Sequence, residues 1–359
     1  KLREFLGARS GGVVKGRIRK RARTVRNRRR RESRFLLNPA ILGVGPRSFA
    51  VKPFVPQRRH MSESIEATVL ITTKDRKEDL RRAVRSAVEQ TVEVEVLVVD
   101  DGSSDGTSKM IRNEFPSVRV CQAEEPAGYI VRRNEGARQA KAPIIFSIDD
   151  DAEFSSPYVV EQTLQAFDSP RVGAVAIPYV DVKKSTDILQ RAPDAEGRYC
   201  TFSFRGTAHA LRRDLFLRLG GYREHLVHQG EEMDYCIRML DAGYVVRLGH
   251  SDIINHYESP KRSFERMDHY GRRNDILFVW HNVPGVAAAP YMVGTAVNGI
   301  RAMIRSGRPH NMISGMAAGI ADCVKYYSKR NPVALDTFRL YRRLKTNGPL
   351  PYEDVRSHL

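Results

Sequence analysis

Two clusters of acidic residues have compositions suited to binding metal or moving protons. Asp149-Asp150-Asp151 follows the apolar run 144–148, and Glu231 and Glu232 follow Gly230. Three successive carboxylates repel one another, and a hard divalent cation such as Mg²⁺ or Mn²⁺ would relieve that repulsion. Such a cation typically binds one or two carboxylates together with phosphate oxygens, so the triplet predicts a site for a diphosphate ligand. The alternative interpretation is a solvated acidic turn that caps the next helix.

The pair Glu231 and Glu232 suits a general base, because a positioned carboxylate can take a proton from a hydroxyl. Acidic residues also occur in first helical turns simply to complement the helix dipole, and that interpretation stays open. His256 follows the stretch 245–255 and is a candidate further metal ligand, although a lone histidine is more often structural.

Polar residues also follow two earlier apolar runs. Thr72-Thr73-Lys74-Asp75-Arg76 comes after the first, and Asp100-Asp101-Gly102-Ser103-Ser104-Asp105-Gly106 comes after the second. A carboxylate at a strand end can accept hydrogen bonds from a ribose or base, and glycine permits a tight turn close to a ligand. The second segment is also typical of turns and helix caps. Arg132 and Arg133 carry guanidinium groups at the start of a predicted helix, which favours phosphate.

The apolar runs predict the elements that position these clusters. Strands are expected over 67–72, 95–99 and 144–148, which lack polar alternation, as do strands buried on both faces. Helices are expected after Ser104 and from near Tyr129. Between the first two strands, one helical face is formed by five apolar residues, Leu80, Ala83, Val84, Ala87 and Val88. The alternation predicts an α/β fold with a parallel sheet, right-handed crossovers and ligands beyond the carboxyl ends of its strands.

Taken together, these motifs resemble the family 2 glycosyltransferases with the GT-A fold. The resemblance runs from about Ala67 to His256 and rests on the order and spacing of the motifs. Besides the segments named above, it includes Leu80, Ser86 and Gln90, Val98 to Thr107, Arg132 to Gly136, Phe204-x-Gly206, Ala210 to Arg213, Gly220 to Glu224 and the Glu-Glu-x-Asp segment 231–234. It implies a Rossmann-like, mostly parallel central sheet flanked by helices.

The resemblance also implies a role for each matching position. The implied metal ligands are Asp149, Asp151 and His256. The residues implied to bind the nucleotide-sugar donor are Thr72, Thr73, Arg76, Asp100, Asp101, Arg133 and Asp150. The implied catalytic residues are Glu232, as the base, and its neighbour Glu231. The family's base is usually the Asp of a Glu-Asp pair, so the longer side chain of Glu232 is a departure from the pattern.

These roles imply an inverting glycosyltransferase of the hexosyltransferase type that depends on Mn²⁺ or Mg²⁺. In a single displacement, Glu232 takes the proton of an acceptor hydroxyl while that oxygen attacks the anomeric carbon. The expected acceptor is a glycan or lipid-linked hydroxyl in cell-envelope polysaccharide or glycolipid synthesis. The alternatives are a non-catalytic sugar-nucleotide-binding homologue and a protein that binds nucleic acid or anionic lipid through its N-terminus. A nucleotidyltransferase is disfavoured, because the segment 72–76 has no Gly-rich, Lys-bearing phosphate loop.

The segment 1–60 carries nearly all of the chain's net charge of +18, with 19 Lys and Arg against Glu4 and Glu32. Its composition predicts disorder. Three interpretations stay open: an anchor to anionic lipid, a nucleic-acid-binding segment with few aromatic residues for stacking, or upstream sequence that precedes a natural start at Met61. Nucleic acid is not the expected partner, because residues 61–359 are nearly balanced in charge.

We expect a catalytic domain over 61–260 and a helical region over 261–359. Helices are predicted over 264–281, 286–305 and 312–329, and this tail resembles the C-terminal extension of bacterial rhamnosyltransferase-like and galactofuranosyltransferase-like enzymes. Such helices either lie on a membrane surface or pack against the core. No run reaches the eighteen or so apolar residues of a membrane span, and no signal peptide is evident. The four widely spaced cysteines favour a reducing cytoplasm, with peripheral contact on the inner face of the cell membrane as a further expectation.

Overall fold

The computed structural model describes residues 65–258 and 263–359, so the predictions for residues 1–60 lie outside the described residues. The strands β1 to β12 are, in chain order, Ala67–Thr73, Val94–Asp100, Arg119–Gln122, Ile144–Asp149, Ala152–Phe154, Val172–Ala176, Tyr179–Asp181, Tyr199–Thr201, His209–Arg212, Val245–Leu248, Ile254–His256 and Leu350–Pro351. The helices α1 to α11 are Lys77–Val88, Thr107–Glu114, Tyr129–Gln139, Val159–Leu164, Arg213–Arg218, Glu231–Asp241, Phe264–Asn282, Gly285–Ser306, Pro309–Lys325, Leu335–Asn347 and Tyr352–Arg356.

A nine-stranded sheet forms the centre of the fold, with the order β12-β8-β10-β6-β9-β4-β1-β2-β3. The pairs β1–β2, β1–β4, β2–β3 and β6–β10 are parallel, whereas β9 lies antiparallel between β4 and β6. A small second sheet has the order β5-β11-β7. In the described nine-stranded sheet, β8 and β9 run antiparallel to their neighbours and the other strands share one direction, so the predicted α/β class with a mostly parallel sheet is confirmed. The apolar runs did not predict these two antiparallel strands.

The register of the parallel strands brings the predicted polar clusters to one edge of the sheet. Thr73 at the end of β1 is level with Asp100 at the end of β2, and Thr72 is level with Asp149 at the end of β4. These strands are buried over almost their whole length, which is why their sequences lack polar alternation. The carboxyl ends of the strands therefore converge on the edge where ligands of such sheets bind.

Helix α1 packs on the sheet through four of the five residues predicted for its buried face. Leu80, Ala83, Val84 and Ala87 are fully buried, but Val88 is 39% exposed. The prediction for Val88 was wrong because a residue eight positions after Leu80 lies about 80° around the helix from it. That rotation carries Val88 past the edge of the apolar stripe at the last residue of the helix.

The C-terminal helices differ in how much of their surface is covered. Helix α7 is largely buried, and the α7 residues Ile276, Leu277 and Val279 belong to the protein core. Of the two arrangements expected for the C-terminal helices, α7 therefore packs against the core. Helices α8 and α9 bury only a few residues and leave several large aliphatic side chains exposed. Among the helices of the described residues, none combines the length and the apolar character needed to cross a bilayer.

Candidate active site

Two carboxylates and an imidazole meet where β4 ends. Asp149 is the last residue of β4, and Asp151 lies between β4 and β5. His256 ends β11, whose antiparallel pairing with β5 sets His256 opposite Ala152 and therefore beside the triplet. Its Nε2 atom lies 3.3 Å from Asp151 Oδ1 and 3.9 Å from Asp149 Oδ2. The ligand atoms of the three residues lie within 4.8 Å of one another.

The orientation of His256 is set by a third carboxylate. Asp181 is level with His256 in the parallel pair β7–β11, and its Oδ1 lies 2.5 Å from His256 Nδ1. Metal-binding histidines usually bond through their other ring nitrogen in this way, which directs the free nitrogen at the ion. Burial lowers the pKa of His256, but bonding to Asp151 and Asp181 and the charge of Asp149 raise it to about 9. This set of oxygen and nitrogen donors fits a divalent cation.

Asp150 bonds to two residues at or just after the end of β1, and it shares one of them with Asp151. Thr73 Oγ1 donates to Asp150 Oδ2 at 2.8 Å, and Arg76 Nη1 donates to Asp150 Oδ1 at 2.8 Å. Arg76 Nη1 also lies 3.0 Å from Asp151 Oδ2. Burial raises the pKa of Asp150, the charge of Arg76 opposes that rise, and the pKa comes to about 7. Asp150 thus links the ends of β1 and β4 through Thr73 and Arg76.

Arg133 connects the acidic triplet to the start of α6. It lies on α3 and is 5% exposed. Its Nη2 atom donates to Asp149 Oδ1 at 2.5 Å, and its Nη1 atom lies 3.4 Å from Glu231 Oε1. Burial lowers the pKa of Arg133, but the charges of Asp149 and Glu231 raise it above the usual value. The side chain therefore stays charged between the two acidic clusters that the sequence singled out.

The two glutamates at the start of α6 occupy different environments. Glu231 is 1% exposed. Burial, and to a smaller extent the charge of Glu232, raise the pKa of Glu231, whereas the charge of Arg133 lowers it. Glu232 is only half-buried, and its Oε1 accepts the backbone N–H of Gly206 at 3.1 Å. The helix begins after Gly230, whose φ of +84° is a left-handed conformation that glycine adopts readily.

Gly206 is a site residue whose packing the sequence did not reveal. A Cβ atom at this position would lie 2.8 Å from Glu232 Oε1 and 2.8 Å from Arg133 Nη1. The absence of a side chain therefore lets the backbone approach both charged groups. The signal in the sequence was Phe204-x-Gly206, which we noted as a motif without assigning a role to it. Asp181, the partner of His256, had no signal of that kind.

The predicted donor residues Asp100 and Asp101 are engaged within the protein. Asp100 is fully buried and accepts the N–H of Ser103 at 2.9 Å and the hydroxyl of Ser108 at 2.5 Å. Asp101 accepts Arg132 Nε at 2.7 Å and two backbone N–H groups just before α3. These bonds shape the turn after β2 and hold the start of α3. Thr72 is partly exposed at the end of β1, level with Asp149.

A protein-family comparison matches the part of the chain that contains most of this site. Residues 68–223 match the model of glycosyl transferase family 2. The chain contains a family 2 glycosyltransferase domain. The match includes the acidic triplet and Arg133, and it ends before the helix that carries Glu232 and before His256.

Curated relatives of the family 2 domain are distant in sequence. The chain is 24% identical to the glycosyltransferase AglE of Haloferax volcanii over 54% of its own length and 67% of that protein. It is 23% identical to the O-antigen biosynthesis protein RfbC of Myxococcus xanthus, over 55% of its own length and 18% of that protein. The chain therefore spans about two thirds of one relative and a small part of the other.

Solved structures share the fold at low sequence identity. A structure of S. aureus TarS 1-349 in complex with UDP-GlcNAc aligns with a TM-score of 0.55 and 13% identity, over 82% of this chain and 90% of that one. The mannosyltransferase PcManGT from Pyrobaculum calidifontis, in complex with GDP-Man and Mn²⁺, aligns with a TM-score of 0.50 and 18% identity, over 73% of this chain and 87% of that one. These likenesses support the GT-A fold of the domain.

Proposed function

We propose that the family 2 domain transfers a sugar, with inversion, from a nucleoside-diphosphate sugar to a hydroxyl group of a glycan or lipid-linked acceptor. This activity would serve cell-envelope polysaccharide or glycolipid synthesis. The observation that carries the proposal is the short chain of contacts from the acidic triplet through Arg133 to α6. One end of the sheet is thereby lined by the candidate metal ligands, by Arg133 as a phosphate-binding side chain, and by the candidate base.

The residues suited to hold Mn²⁺ or Mg²⁺ are Asp149, Asp151 and His256. PcManGT was crystallised with Mn²⁺ and GDP-Man, which supports a divalent cation beside a nucleotide sugar in this fold. The cation, when bound, stabilises the negative charge of the departing nucleoside diphosphate. Arg133 is adjacent to Asp149, and its guanidinium can donate charge-assisted hydrogen bonds to the same diphosphate.

We assign the general base to Glu232. Its carboxylate is half-buried, and the N–H of Gly206 holds Oε1 at 3.1 Å, which orients the group toward a proton on an acceptor hydroxyl. Glu231 suits this role less well, because burial raises its pKa and the side chain is 1% exposed. We assign Glu231 to positioning, through its contact with Arg133.

The two glutamates provide a matched pair of variants. Glu232→Gln should reduce transfer by about 10²–10⁴-fold, the usual contribution of a general base, while donor affinity changes little. Glu231→Gln keeps the length of the side chain and a carbonyl oxygen that can accept from Arg133 Nη1, so it should reduce transfer much less than Glu232→Gln does. Donor binding should first be found by thermal-shift screening of UDP-, dTDP- and GDP-sugars with and without Mn²⁺. Normal turnover by Glu232→Gln would remove the base assignment, and donor binding without transfer by the wild type would favour a non-catalytic homologue.

We also propose peripheral contact of α8 and α9 with the inner face of the cell membrane. Val293 and Ile304 on α8 are 65% and 78% exposed, and Ile320 and Val324 on α9 are 63% and 78% exposed. Val293 and Ile304 are eleven positions apart, which places them about 20° apart around α8 and so on one face. Exposed apolar faces are typical of interaction surfaces. The only charged side chains of α8 are Arg301 and Arg305, which complement an anionic lipid surface. The four cysteines are free thiols, in keeping with a reducing compartment.

A further inference from the structure

A cavity of about 540 Å³ lies among α6, α7, α8 and α10. Its volume falls within the range of small-molecule sites, about 300–1,000 Å³. None of its lining residues belongs to the candidate active site described above. The lining comprises Met233, Asp275, Phe278, Ala287, Pro290, Tyr291, Gly294, Thr295, Asn298, Phe338, Arg342 and Lys345.

One part of the wall is apolar and aromatic. Tyr291 of α8 and Phe338 of α10 meet edge to face, with ring centroids 5.3 Å apart. Phe278 of α7 and Met233 of α6 continue this surface. Along α8, residues 291, 294, 295 and 298 line the cavity with helical spacing. The wall is thus assembled from four helices and offers area to an apolar group.

The other part of the wall is cationic. Arg342 and Lys345 lie three positions apart on α10 and therefore on one side of it. Within residues 65–258 and 263–359, neither has an ion-pair partner within 4.0 Å, and the Arg342 guanidinium lies 5.7 Å from the Tyr291 ring centroid. Asp275, the acidic residue of the lining, is bonded to Arg272 at 2.8 Å. The charge of Asp275 also acts on Lys345, but at longer range than an ion pair. The cavity therefore presents two positive charges that have no carboxylate in direct contact.

We propose that this cavity binds a phosphate-bearing ligand that also has an apolar portion. Arg342 and Lys345 would donate charge-assisted hydrogen bonds to the phosphate oxygens, with the hydroxyl of Thr295 as a further donor. The apolar portion would pack on Phe338, Phe278 and Met233. The phosphate can come from a lipid head group or from a soluble phosphate ester. This inference is independent of the proposed sugar transfer, since it uses none of the residues assigned to that reaction.

Calorimetric titration of the full chain tests the proposal with three probes. They are dioctanoyl phosphatidic acid below its micelle concentration, dioctanoylglycerol, which keeps the chains but lacks the phosphate, and inorganic phosphate. We expect phosphatidic acid to bind and dioctanoylglycerol to bind at least about tenfold more weakly, since the charge-assisted bonds are lost. Binding of phosphatidic acid alone identifies a lipid source. Equal binding of inorganic phosphate and phosphatidic acid supports the same site with a soluble source.

Two variants locate the binding to this cavity. The double variant Arg342→Gln/Lys345→Gln should weaken binding at least about tenfold. Gly294→Leu should do the same by filling the cavity, because a Cβ atom at Gly294 meets no other atom within 4 Å and the helix tolerates leucine.

The matched control is Arg339→Gln/Arg343→Gln, which removes two exposed charges of α10 that do not line the cavity. It should bind as the wild type does. The proposal is overturned if no phosphate probe binds the wild type, if both cavity variants bind normally, or if the control loses as much affinity as the double cavity variant.

Discussion

Replacement of Asp234 by asparagine should destabilise the protein far more than replacement of an ordinary helix-start aspartate. Asp234 lies in the first turn of α6, two residues after Glu232, and is 1% exposed. Its carboxylate accepts hydrogen bonds from Arg223, from Arg238 Nε at 3.1 Å and from Asn282 Nδ2 at 2.8 Å. Asn282 belongs to α7. These bonds therefore fix the start of α6 against α7.

The expected size of the effect depends on which role the carboxylate has. An acidic residue that only complements the helix dipole contributes about 0.3–1 kcal/mol. Removing one partner of a buried ion pair costs about 3–5 kcal/mol. Arg238 would keep two carbonyl acceptors at 2.7 Å, and Arg223 would keep Asn282 Oδ1 at 3.1 Å. We therefore expect Asp234→Asn to cost about 3 kcal/mol, the lower end of the buried-pair range.

The loss should also depend on pH. Burial raises the pKa of Asp234, but the charges of Arg238 and Arg223 and the bond from Asn282 bring it below the usual value. A carboxylate whose pKa is depressed on folding stabilises the folded state above its unfolded pKa, about 3.9 for Asp. That stabilisation disappears as the pH falls through the folded pKa. The difference between wild type and Asp234→Asn should therefore be full at pH 7 and shrink below about pH 4.

Urea unfolding at a series of pH values measures this difference. The matched control is Asp336→Asn, which changes another first-turn aspartate, on α10, whose side chain is 88% exposed and pairs with Arg339 at 2.9 Å. Its loss should stay below about 1 kcal/mol, as for exposed ion pairs. Equal losses for Asp234→Asn and Asp336→Asn would refute the buried-network reasoning, and so would a loss that does not change with pH.

Three further variants test the site and the tail. Gly206→Ala should reduce turnover by about tenfold or more, because a Cβ atom 2.8 Å from Glu232 Oε1 displaces the carboxylate. Steady-state kinetics measures the change in turnover. His256→Ala should abolish the rise in melting temperature on adding Mn²⁺, since it removes one ligand atom of the cluster. Val293→Ser/Ile304→Ser should reduce flotation with anionic liposomes and leave the melting temperature within about 2 °C, because both side chains are exposed.

Each of these variants has a control in the same chain. Gly285→Ala adds a methyl group where no atom lies within 4 Å and should leave turnover unchanged. His250→Ala removes an exposed histidine that lies outside the metal cluster and should keep the Mn²⁺ response. The first prediction is contradicted if Gly206→Ala turns over normally. The second is contradicted if His256→Ala keeps the Mn²⁺ response, and the third if the α8 double variant floats with liposomes as the wild type does.

The sequence by itself determined the central part of the fold. The runs that became β1, β2 and β4 are buried and mostly apolar, with Thr68, Glu95 and Ser147 as buried polar exceptions. The spacing of Leu80, Ala83, Val84 and Ala87 marks the buried face of α1. Because these patterns are local, they can be read before any long-range contact is known. The order of strands and helices then placed the acidic triplet at the ligand-binding edge of the sheet.

Only the tertiary structure decided which polar residues meet. Asp181 bonds to His256 because β7 and β11 pair in one particular register. Arg133, on α3, reaches both Asp149 at the end of β4 and Glu231 at the start of α6. The tertiary structure also bonds the carboxylate of Asp101 to the backbone N–H of Gly128, at the start of α3. Such contacts join residues far apart in the chain, and their side chains could equally be solvated or paired elsewhere. Hydrophobic periodicity carries no information on that choice, which follows from strand register and helix packing.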